Sequence, residues 1–381
     1  MIKFAVLIFA VSLVLHQPEV KGTGLSRPVN NPIKTIKTEY GDIYDCVDIH
    51  KQPALEHPLL KDHKVQMMPS FAVRRKSMSP TITDSIKLGL ETPCPRGTVP
   101  IRRTSDQELL KAQSAFYMHH FAFDTNSNEP VAPGVDFAGI ISTQDASKKY
   151  RGAGGRLAIY QPFAQPNQFS LSMILLQSVT TVGQRAIIRT GWMVNPLVYG
   201  DTRSRFFTSW TQEKSGSSSG CYDLLCSGFV VVDKQFTPGI PFGNISTISG
   251  PKFDDWMMIK QDLRTGHWWL MVLDDNRPIG YWPIELFDGF ENGAGLASWG
   301  GWVYSQSPGS PAMGSGYYVD KDYEKTCYIA QVSVNNPGDP KLVSPDESSV
   351  QVLQSRCYQA GDNSFFDVSW GYRFLFGGAG C

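Results

Sequence analysis

The sequence predicts an all-β fold, with an antiparallel β-sandwich in the C-terminal part of the chain and a smaller, mainly β part before it. Three observations predict it: the 381 residues include 35 glycines and 25 prolines, aromatic residues make up 12% of the chain, and short alternating runs recur between turn residues. Long alanine or leucine stretches, which would indicate helices, are few. With 41% hydrophobic residues, the chain is long enough for one large core or two ordinary ones.

The strands are predicted from the alternation of apolar and polar residues. In the N-terminal third, residues 36–49 alternate like a strand, and prolines then turn the chain at Pro53 and Pro58. Further along, alternating runs predict strands at 156–162, 169–176, 186–194, 206–211, 229–232, 256–259, 267–273, 279–282, 302–304 and 365–376. The glycine-rich stretch 152–155 lacks the Lys-Ser/Thr pair of a phosphate loop and is interpreted as a turn. Strands at this spacing are typical of antiparallel sandwiches and barrels.

The N-terminus has the layout of a signal peptide. Lys3 precedes a run of about 12 apolar residues, and His16 and Pro18 interrupt this run well short of the ~20 apolar residues that a membrane helix needs. We therefore predict a signal peptide over residues 1–22, a secreted product and no membrane span. Asn244-Ile245-Ser246 is an N-glycosylation sequon and fits that route.

The charge balance excludes one class of partner. Lysine and arginine together number 35, and so do aspartate and glutamate, so the formal net charge is zero. A chain without excess charge has no overall field that favours nucleic acid or an anionic membrane surface. We therefore predict no nucleic-acid partner.

Seven cysteines in a secreted chain predict disulfides and one thiol left over. Position suggests three pairs: Cys221 with Cys226 around a tight loop, Cys46 with Cys94 in the N-terminal third, and Cys357 with Cys381 on either side of the last aromatic strand. Cys327 then remains unpaired. The sequence contains no H-E-x-x-H motif and no C-x-x-C pair with a partner pair, so neither a metal site nor a cofactor is predicted.

Several motifs between Ile188 and Phe229 occur together in one known family. They are Gly191-Trp192, Tyr199-Gly200-Asp201, Arg205, the Thr208/Trp210/Thr211 strand and the Cys221/Cys226 loop. Further matches are Gly266-His267-Trp268-Trp269, Gly280-Tyr281-Trp282-Pro283, Met313-Gly314-Ser315-Gly316 and Gly377-Gly378-Ala379-Gly380. With these motifs the chain resembles the neprosin family, secreted plant glutamic peptidases and their relatives. The resemblance implies a peptidase-type β-sandwich and, for a plant protein, a place in the apoplast or cell wall.

The N-terminal third resembles the neprosin activation peptide. The matching segments are 36–63 and 94–103. In the family this portion covers the active cleft and is removed, typically in acid. The polar Pro/Gly stretch 126–134 is the kind of sequence that proteases reach easily. The resemblance therefore implies a signal peptide at 1–22, a pro-domain at 23–128 and a peptidase-type domain at 129–381.

The same resemblance implies two catalytic glutamates, one two residues before Gly191-Trp192 and one directly after Trp299-Gly300-Gly301. Two facing carboxyl groups hold one proton between them and can activate water in acid. Arg189 and Trp302 occupy these positions here. Arginine stays protonated and cannot act as a general base, and tryptophan offers one N–H donor and a bulky ring. Neither implied catalytic position is intact.

Candidate replacements for the two glutamates lie near these motifs. Ser298 is not acidic, and Glu285 and Glu291, the nearest acids in sequence, would need a shifted strand register to face the cleft. His267 is interpreted as a hydrogen-bonded strand residue because no Ser or Cys nucleophile motif accompanies it. The resemblance places a further set of candidates around the cleft: Trp192, Tyr199, Arg205, Trp210, Trp268, Trp282 and Trp299.

Three functions follow as hypotheses. The first is a neprosin-type protein without peptidase activity, whose cleft binds a peptide, a proline-rich protein or a glycan besides its own pro-domain. The second is an active glutamic-type peptidase that cleaves near proline at acid pH with substitute acids. The third is glycan or wall binding by exposed rings of Trp268, Trp269 or Trp302, which requires that those rings have an open face.

Overall fold

A computed structural model describes residues 32–71, 87–118, 123, 134–143, 149–178, 184–214, 217–306, 308–320, 322–335 and 341–381. The predicted signal peptide over 1–22 and the predicted domain boundary at 128/129 lie outside these residues. In the described part of the chain, every helix is too short or too polar to cross a bilayer.

The chain is mostly β-strand, as predicted. In chain order the strands are β1 (Lys34–Lys37), β2 (Ile43–Asp48), β3 (Thr98–Arg102), β4 (Val135–Ser142), β5 (Gly152–Ala158), β6 (Gln168–Gln177), β7 (Gln184–Val194), β8 (Arg205–Lys214), β9 (Ser217–Tyr222), β10 (Val230–Val231), β11 (Asp254–Gln261), β12 (Trp268–Val272), β13 (Arg277–Trp282), β14 (Leu296–Ser305), β15 (Cys327–Asn335), β16 (Leu342–Val343), β17 (Val350–Leu353), β18 (Gln359–Phe365) and β19 (Tyr372–Gly377). The helices are α1 (Asp106–Met118) and the single turn α2 (Pro196–Tyr199), with 3-10 turns at Ile49–Lys51, Pro53–Glu56, Pro58–Leu60, Ile284–Leu286 and Glu347–Ser349.

The strands form one small sheet and two large ones. β1, β2 and β3 make a three-stranded sheet in the N-terminal part. A seven-stranded sheet has the order β17-β4-β14-β6-β7-β8-β9, and a nine-stranded sheet has the order β10-β13-β12-β11-β5-β15-β19-β18 with β16 beside β15. Neighbouring strands pair antiparallel throughout, for example β6 with β7 and β11 with β12. The predicted all-β class and the smaller N-terminal part are confirmed.

The two large sheets pack face to face. The indole N–H of Trp192 in β7 donates to the carbonyl of Ala158 at 2.8 Å, and that of Trp299 in β14 donates to the carbonyl of Gly154 at 3.0 Å. Both carbonyls belong to β5 of the nine-stranded sheet, so both indole rings extend across the interior between the two large sheets. Because strand side chains alternate between faces, the residues next to these tryptophans point away from the core.

Helix α1 was not predicted, and its start has a recognisable sequence signal. The Ser105 N–H donates to Glu108 Oε2 at 2.8 Å, and the Glu108 N–H donates to Ser105 Oγ at 3.3 Å. These reciprocal bonds form a capping box, which the pattern S-x-x-E indicates. The composition argument for strands overlooked this local signal.

Two other local predictions are wrong. The stretch 152–155 is not a turn but lies in β5, where a Cβ at Gly154 would lie 2.7 Å from the ring of Trp256. Its glycines allow close packing inside the sheet instead of reversing the chain. The run 365–376 is not one strand, since the carboxylate of Asp367 accepts the N–H groups of Ser369 and Trp370 and turns the chain between β18 and β19.

The three cysteine pairs suggested by position are disulfides. The Cα atoms lie 5.5 Å apart in Cys46–Cys94, 5.8 Å apart in Cys221–Cys226 and 5.5 Å apart in Cys357–Cys381. Cys327 in β15 is a buried free thiol, and burial raises its pKa. A thiol held protonated in this way is a poor nucleophile.

Candidate functional site

The two positions that should hold catalytic glutamates lie on the same face of the seven-stranded sheet. Arg189 in β7 lies three residues before Trp192, and Trp302 in β14 lies three residues after Trp299. Odd spacing along a strand reverses the side-chain direction, so Arg189 and Trp302 both point away from the core. We call this outer face of the seven-stranded sheet the cleft face.

The strand register places the two positions at diagonal corners of one area. Arg189 pairs with Leu175 in β6, whereas Trp302 pairs with Leu171 in the same strand. They are therefore two strands apart, about 10 Å, and four residues apart along the strands, about 13 Å. Ser298, not Trp302, lies directly level with Arg189, because both pair with Leu175.

A row with three glycines crosses the sheet between the two corners. Gly139 pairs with Gly300, Gly300 with Met173, and Met173 with Gly191. Gly191 and Gly300 lie two residues from Arg189 and Trp302 on their strands, so they face the cleft as well. Gly139 and Met173 pair with Gly300 and therefore face the same side. Met173 carries the one side chain of this row, and the three glycines form a low floor between the two corners, which we call the glycine floor.

Gly191 is expected to tolerate no side chain. A Cβ there would collide with the backbone oxygen of Ser172 and lie 2.9 Å from the Cα of Met173. We expect Gly191→Ala to lower the free energy of unfolding by about 1–3 kcal/mol, the usual cost of overpacking. Urea denaturation measures it, with Gly361→Ala as control because a Cβ there would only meet Val319 at 3.8 Å. Equal effects of the two substitutions would contradict the close packing of the floor.

Arg189 is a buried cation on this floor. Only 2% of the residue is exposed, and its Nη1 donates to Ser209 Oγ on the neighbouring strand at 3.2 Å. Burial lowers the pKa of Arg189 to about 10. The group therefore remains protonated in acid and at neutral pH, and it supplies hydrogen-bond donors only.

In the part of the chain that the structure describes, no pair of carboxyl groups faces the glycine floor. Among the described strand residues of the cleft face, Glu213 near the end of β8 is the only acid, and Arg185 lies 3.5 Å from its carboxylate. Glu285 and Glu291, the candidate substitutes, both follow β13 of the other sheet. Glu285 bonds to His63, and Glu291 accepts the N–H of Gly289. None of these acids stands opposite a second carboxyl across the floor.

Trp302 forms an aromatic cluster with two phenylalanines. Its ring lies 5.2 Å from that of Phe137 on the paired strand and 5.0 Å from that of Phe123. The Phe123 and Phe137 rings meet edge to face, with centroids 5.0 Å apart. Phe123 belongs to the N-terminal part of the chain and is fully buried. Phe123, which precedes the seven-stranded sheet in sequence, therefore lies on its cleft face.

Gln177 holds the backbone of Phe123. The Phe123 N–H donates to Gln177 Oε1 at 3.2 Å, and Gln177 Nε2 donates to the Phe123 carbonyl at 2.9 Å. Gln177 lies six residues along β6 from Leu171, the partner of Trp302, or about 20 Å. Phe123 is much shorter than this distance, so the Gln177 and Trp302 side chains extend towards it from the two ends, one to its backbone and the other to its ring. No sequence motif marks either Phe123 or Gln177.

Helix α1 covers the neighbouring part of the cleft face. The ring of Phe116 meets that of Tyr222 edge to face at 5.5 Å. Tyr222 pairs with Ser209, the residue that accepts the bond from Arg189. Like Phe123, α1 comes from the N-terminal part of the chain, so both corners of the floor are close to this part.

Two of the predicted cleft residues contact the N-terminal part or stabilise the loops around it. Arg205 in β8 is 1% exposed and donates from Nη1 to Asp42 Oδ2 at 2.8 Å and to the carbonyl of Gly239 at 2.8 Å. The Tyr199 hydroxyl donates to Asp223 at 2.8 Å, and burial raises the pKa of that carboxyl to about 7. Arg205 thus forms an ion pair that joins the N-terminal part to the seven-stranded sheet.

The predicted cleft tryptophans are wrong as cleft residues. All are fully or almost fully buried in the main core, on the opposite strand face or in the second sheet: Trp192, Trp210, Trp268, Trp282 and Trp299. Trp269 is likewise fully buried. A sequence motif does not reveal which face of a strand points outward. Here the indole hydrogen bonds of Trp192 and Trp299 to the opposite sheet show that these two rings point into the core. The rings proposed for glycan stacking, at 268, 269 and 302, have no open face.

Three possible metal ligands meet outside the cleft, although no motif in the sequence indicated them. The ligand atoms of His63, His267 and Glu285 lie within 4.8 Å of one another. However, His267 Nδ1 accepts the Ile284 N–H at 3.2 Å. His63 bonds to Glu285 through Nδ1 at 3.2 Å and to the Tyr281 hydroxyl through Nε2 at 2.8 Å. The cluster is complete as a hydrogen-bonded network, and it joins His63 of the N-terminal part to the second sheet.

A cavity of about 830 Å³ lies away from the cleft face. Its lining includes outward residues of β11, β12 and β15, among them Trp256, Met258 and Met271. Lys260 extends over the Phe71 ring at its edge, 4.5 Å from the centroid. Asn244, the predicted glycosylation site, lies in a separate loop and is partly exposed.

Comparison with solved structures finds similarity to peptidases. A scytalido-glutamic peptidase bound to a transition state analog inhibitor is 11% identical, with a TM-score of 0.33 over 64% of this chain and 98% of that chain. SCP-B, a member of the Eqolisin family in complex with the tripeptide Ala-Ile-His, is 9% identical, with a TM-score of 0.33 over 63% of this chain and 96% of that chain. Alignments at these TM-scores support no functional assignment.

The comparison with protein families is decisive. The model of the neprosin activation peptide matches residues 35–138, which include the small sheet, α1 and Phe123. The neprosin model matches residues 166–379, which include both corners of the cleft floor. The second match alone spans more than half of the 381 residues. The chain therefore belongs to the neprosin family and carries that family's activation peptide at its N-terminal end.

Proposed function

We propose that this protein is a secreted neprosin-family member that does not hydrolyse peptides and uses its cleft to hold a peptide. One observation carries the proposal. The two implied glutamate positions are a buried arginine and a tryptophan, and Phe123 of the chain itself lies over the floor between them. Hydrolysis by paired carboxyls needs one group to take a proton from water and another to donate one. Neither Arg189 nor Trp302 can perform the first step.

The occupant of the cleft favours peptide over glycan. Phe123 is bound through a backbone N–H, a backbone carbonyl and a side chain, which are the three recognition elements of any peptide. Sugar binding by stacking would require exposed rings; Trp268 is buried in the main core, and Trp269 and Trp302 are covered by residues of the N-terminal part. A proline-rich peptide remains the first choice of ligand because the family acts near proline.

The test uses acid-treated full-length protein and a fluorescently labelled proline-rich peptide. We expect the anisotropy of the peptide to rise while mass spectrometry recovers the peptide uncut, both for the wild type and for Arg189→Ala. The matched control for surface charge is Arg203→Ala, since the Arg203 side chain is 45% exposed. Clear cleavage that survives Arg189→Ala would overturn the loss of hydrolysis, and unchanged anisotropy would overturn the peptide-binding role.

A further inference from the structure

The cleft contains a small pocket whose walls are aromatic. Phe137 and Trp302 stand on adjacent strands and pair directly across β4 and β14. Glycines beside them make room for the rings: a Cβ at Gly139 or at Gly300 would lie 2.8 Å from the Phe137 ring. The Phe123 ring fills the space above, 5.0 Å from each of the two wall rings.

The two wall rings give the pocket a preference for geometry as well as for apolar surface. Phe123 meets Phe137 at 85° and Trp302 at 65°, both edge-to-face arrangements. The positive edge of one ring then lies against the negative face of another, which adds to the burial of apolar area. An aliphatic side chain of similar size gains the burial but not the edge-to-face contact. The walls therefore discriminate in favour of an aromatic side chain.

Gln177 adds a requirement for a peptide backbone. The residue is fully buried, and both ends of its amide are engaged by the N–H and carbonyl of Phe123. If Phe123 were displaced, the buried amide N–H and the buried amide oxygen of Gln177 would lose their partners, which costs free energy. An incoming residue that offers its own N–H and carbonyl restores both bonds.

We infer that the pocket formed by Phe137, Trp302 and Gln177 is a binding site for an aromatic residue within a peptide, and that Phe123 is its built-in occupant. The inference rests on the proposed function, since it names the ligand class of the same cleft. Trp302, which replaces a glutamate implied by the family resemblance, forms one wall of the pocket. The substitution that removes a catalytic position thus supplies a specificity element.

The experiment empties the pocket and refills it. In full-length Phe123→Ala, N-acetyl-L-phenylalanine amide is expected to bind, with the leucine amide at least about tenfold weaker because hydrophobic pockets discriminate side chains by roughly that factor or more. Adding Gln177→Ala is expected to weaken binding of the phenylalanine probe. Phe163→Ala is the matched control, since Phe163 is 72% exposed and its removal opens no pocket. Thermal shift and isothermal titration calorimetry provide the readouts.

Each outcome decides the inference. Binding of the phenylalanine probe that depends on Gln177 supports it. Equal binding of the phenylalanine and leucine amides overturns the aromatic preference but leaves peptide binding intact, which the anisotropy assay measures separately. No binding of either probe to a variant with native near-UV circular dichroism overturns the pocket itself.

A second measurement covers a Phe123→Ala chain that does not fold. An aromatic pocket predicts that the melting temperature of position-123 variants ranks phenylalanine and tyrosine above leucine, while the same changes at Phe163 leave it unchanged. A leucine variant as stable as the wild type would overturn the inference without any added probe.

Discussion

Replacing Arg205 with alanine is expected to lower the free energy of unfolding by about 3–5 kcal/mol, the usual effect of removing one partner of a buried ion pair. Arg205 is 1% exposed, and it bonds to Asp42 at 2.8 Å and also to Asp201. Without the guanidinium, the buried Asp42 carboxylate keeps only Arg102, at 2.8 Å, as its cationic partner. The substitution therefore leaves a negative charge less compensated inside the protein.

The neighbouring Arg203 provides a matched control. It approaches the same Asp201 at 3.9 Å, but its side chain is 45% exposed. Exposed ion pairs contribute little to stability, so Arg203→Ala is expected to change the free energy of unfolding by about 1 kcal/mol or less. Urea denaturation of both variants, with Asp42→Ala and the double variant, completes a double-mutant cycle. Equal losses at positions 203 and 205, or no coupling between positions 42 and 205, would contradict the role assigned to this pair.

The ion pair matters because it joins the activation peptide to the domain that contains the cleft. Asp42 lies between β1 and β2, and Arg205 begins β8 in the same row of the cleft face as Trp302. Elsewhere Gln52 bonds through its amide to the N–H and carbonyl of Val231, which closes the exposed edge of β10. Together with Phe123 and Gln177, these contacts make the activation peptide a structural part of both large sheets.

Sequence pattern predicted the fold better than it predicted the site. Alternation in segments such as 169–176 and 186–194 identified central strands because each strand has one face in the core and one on the cleft. It failed at 152–155, where glycines allow close packing within the nine-stranded sheet, and it missed α1, whose signal was a cap and not a periodicity.

For the site, motif spacing located Arg189 and Trp302 but could not place the side chains around them. Whether a strand tryptophan points to the core or to the cleft depends on its register with other strands, so the tryptophans of the family motifs were assigned to the wrong face. Asp42 and Arg205 are 163 residues apart, and Phe123 and Gln177 are 54 apart. Such pairings arise only from the tertiary fold, and no local pattern marks Phe123 or Gln177.

Acid is expected to loosen the activation peptide from the nine-stranded sheet. Asp262 in this region accepts the Ser70 N–H at 2.8 Å and a bond from Gln66 Nε2 at 2.7 Å. Burial alone would raise the pKa of Asp262, but the bonds from Ser70 and Gln66 outweigh it and lower the pKa. A carboxyl whose pKa is lower in the folded state stabilises the fold above its ordinary value of about 4 and loses that contribution as the pH falls further.

The histidine cluster changes stability in the same direction. The hydrogen bond from His63 is the main cause that lowers the pKa of Glu285, so this contact is also lost in acid. Burial lowers the pKa of His267 from 6.5 to about 4. An unfolded histidine takes its proton near pH 6.5, so the cost of keeping His267 neutral grows as the pH falls from 6.5 to about 4. Asp223 acts oppositely, because a buried carboxyl with a pKa of about 7 is already protonated below neutral pH.

Asp262→Asn isolates the carboxylate contribution. Because hydrogen bonds to a charged group are worth about 1.5–3 kcal/mol, the variant is expected to be less stable than the wild type by about that amount at pH 7. The difference should shrink as the pH falls below the ordinary carboxyl value of about 4, because the wild-type carboxylate then loses its contribution as it takes up a proton. Glu291→Gln, which removes an acid that contacts no residue of the activation peptide in the described part of the chain, should leave the free energy of unfolding within about 0.5 kcal/mol at every pH. Urea denaturation from pH 7 to pH 3 measures both variants. A difference for Asp262→Asn that stays constant over this range would show that the charge of Asp262 does not hold Gln66 and Ser70, and the acid sensitivity would then have to arise at Asp42 and Arg205.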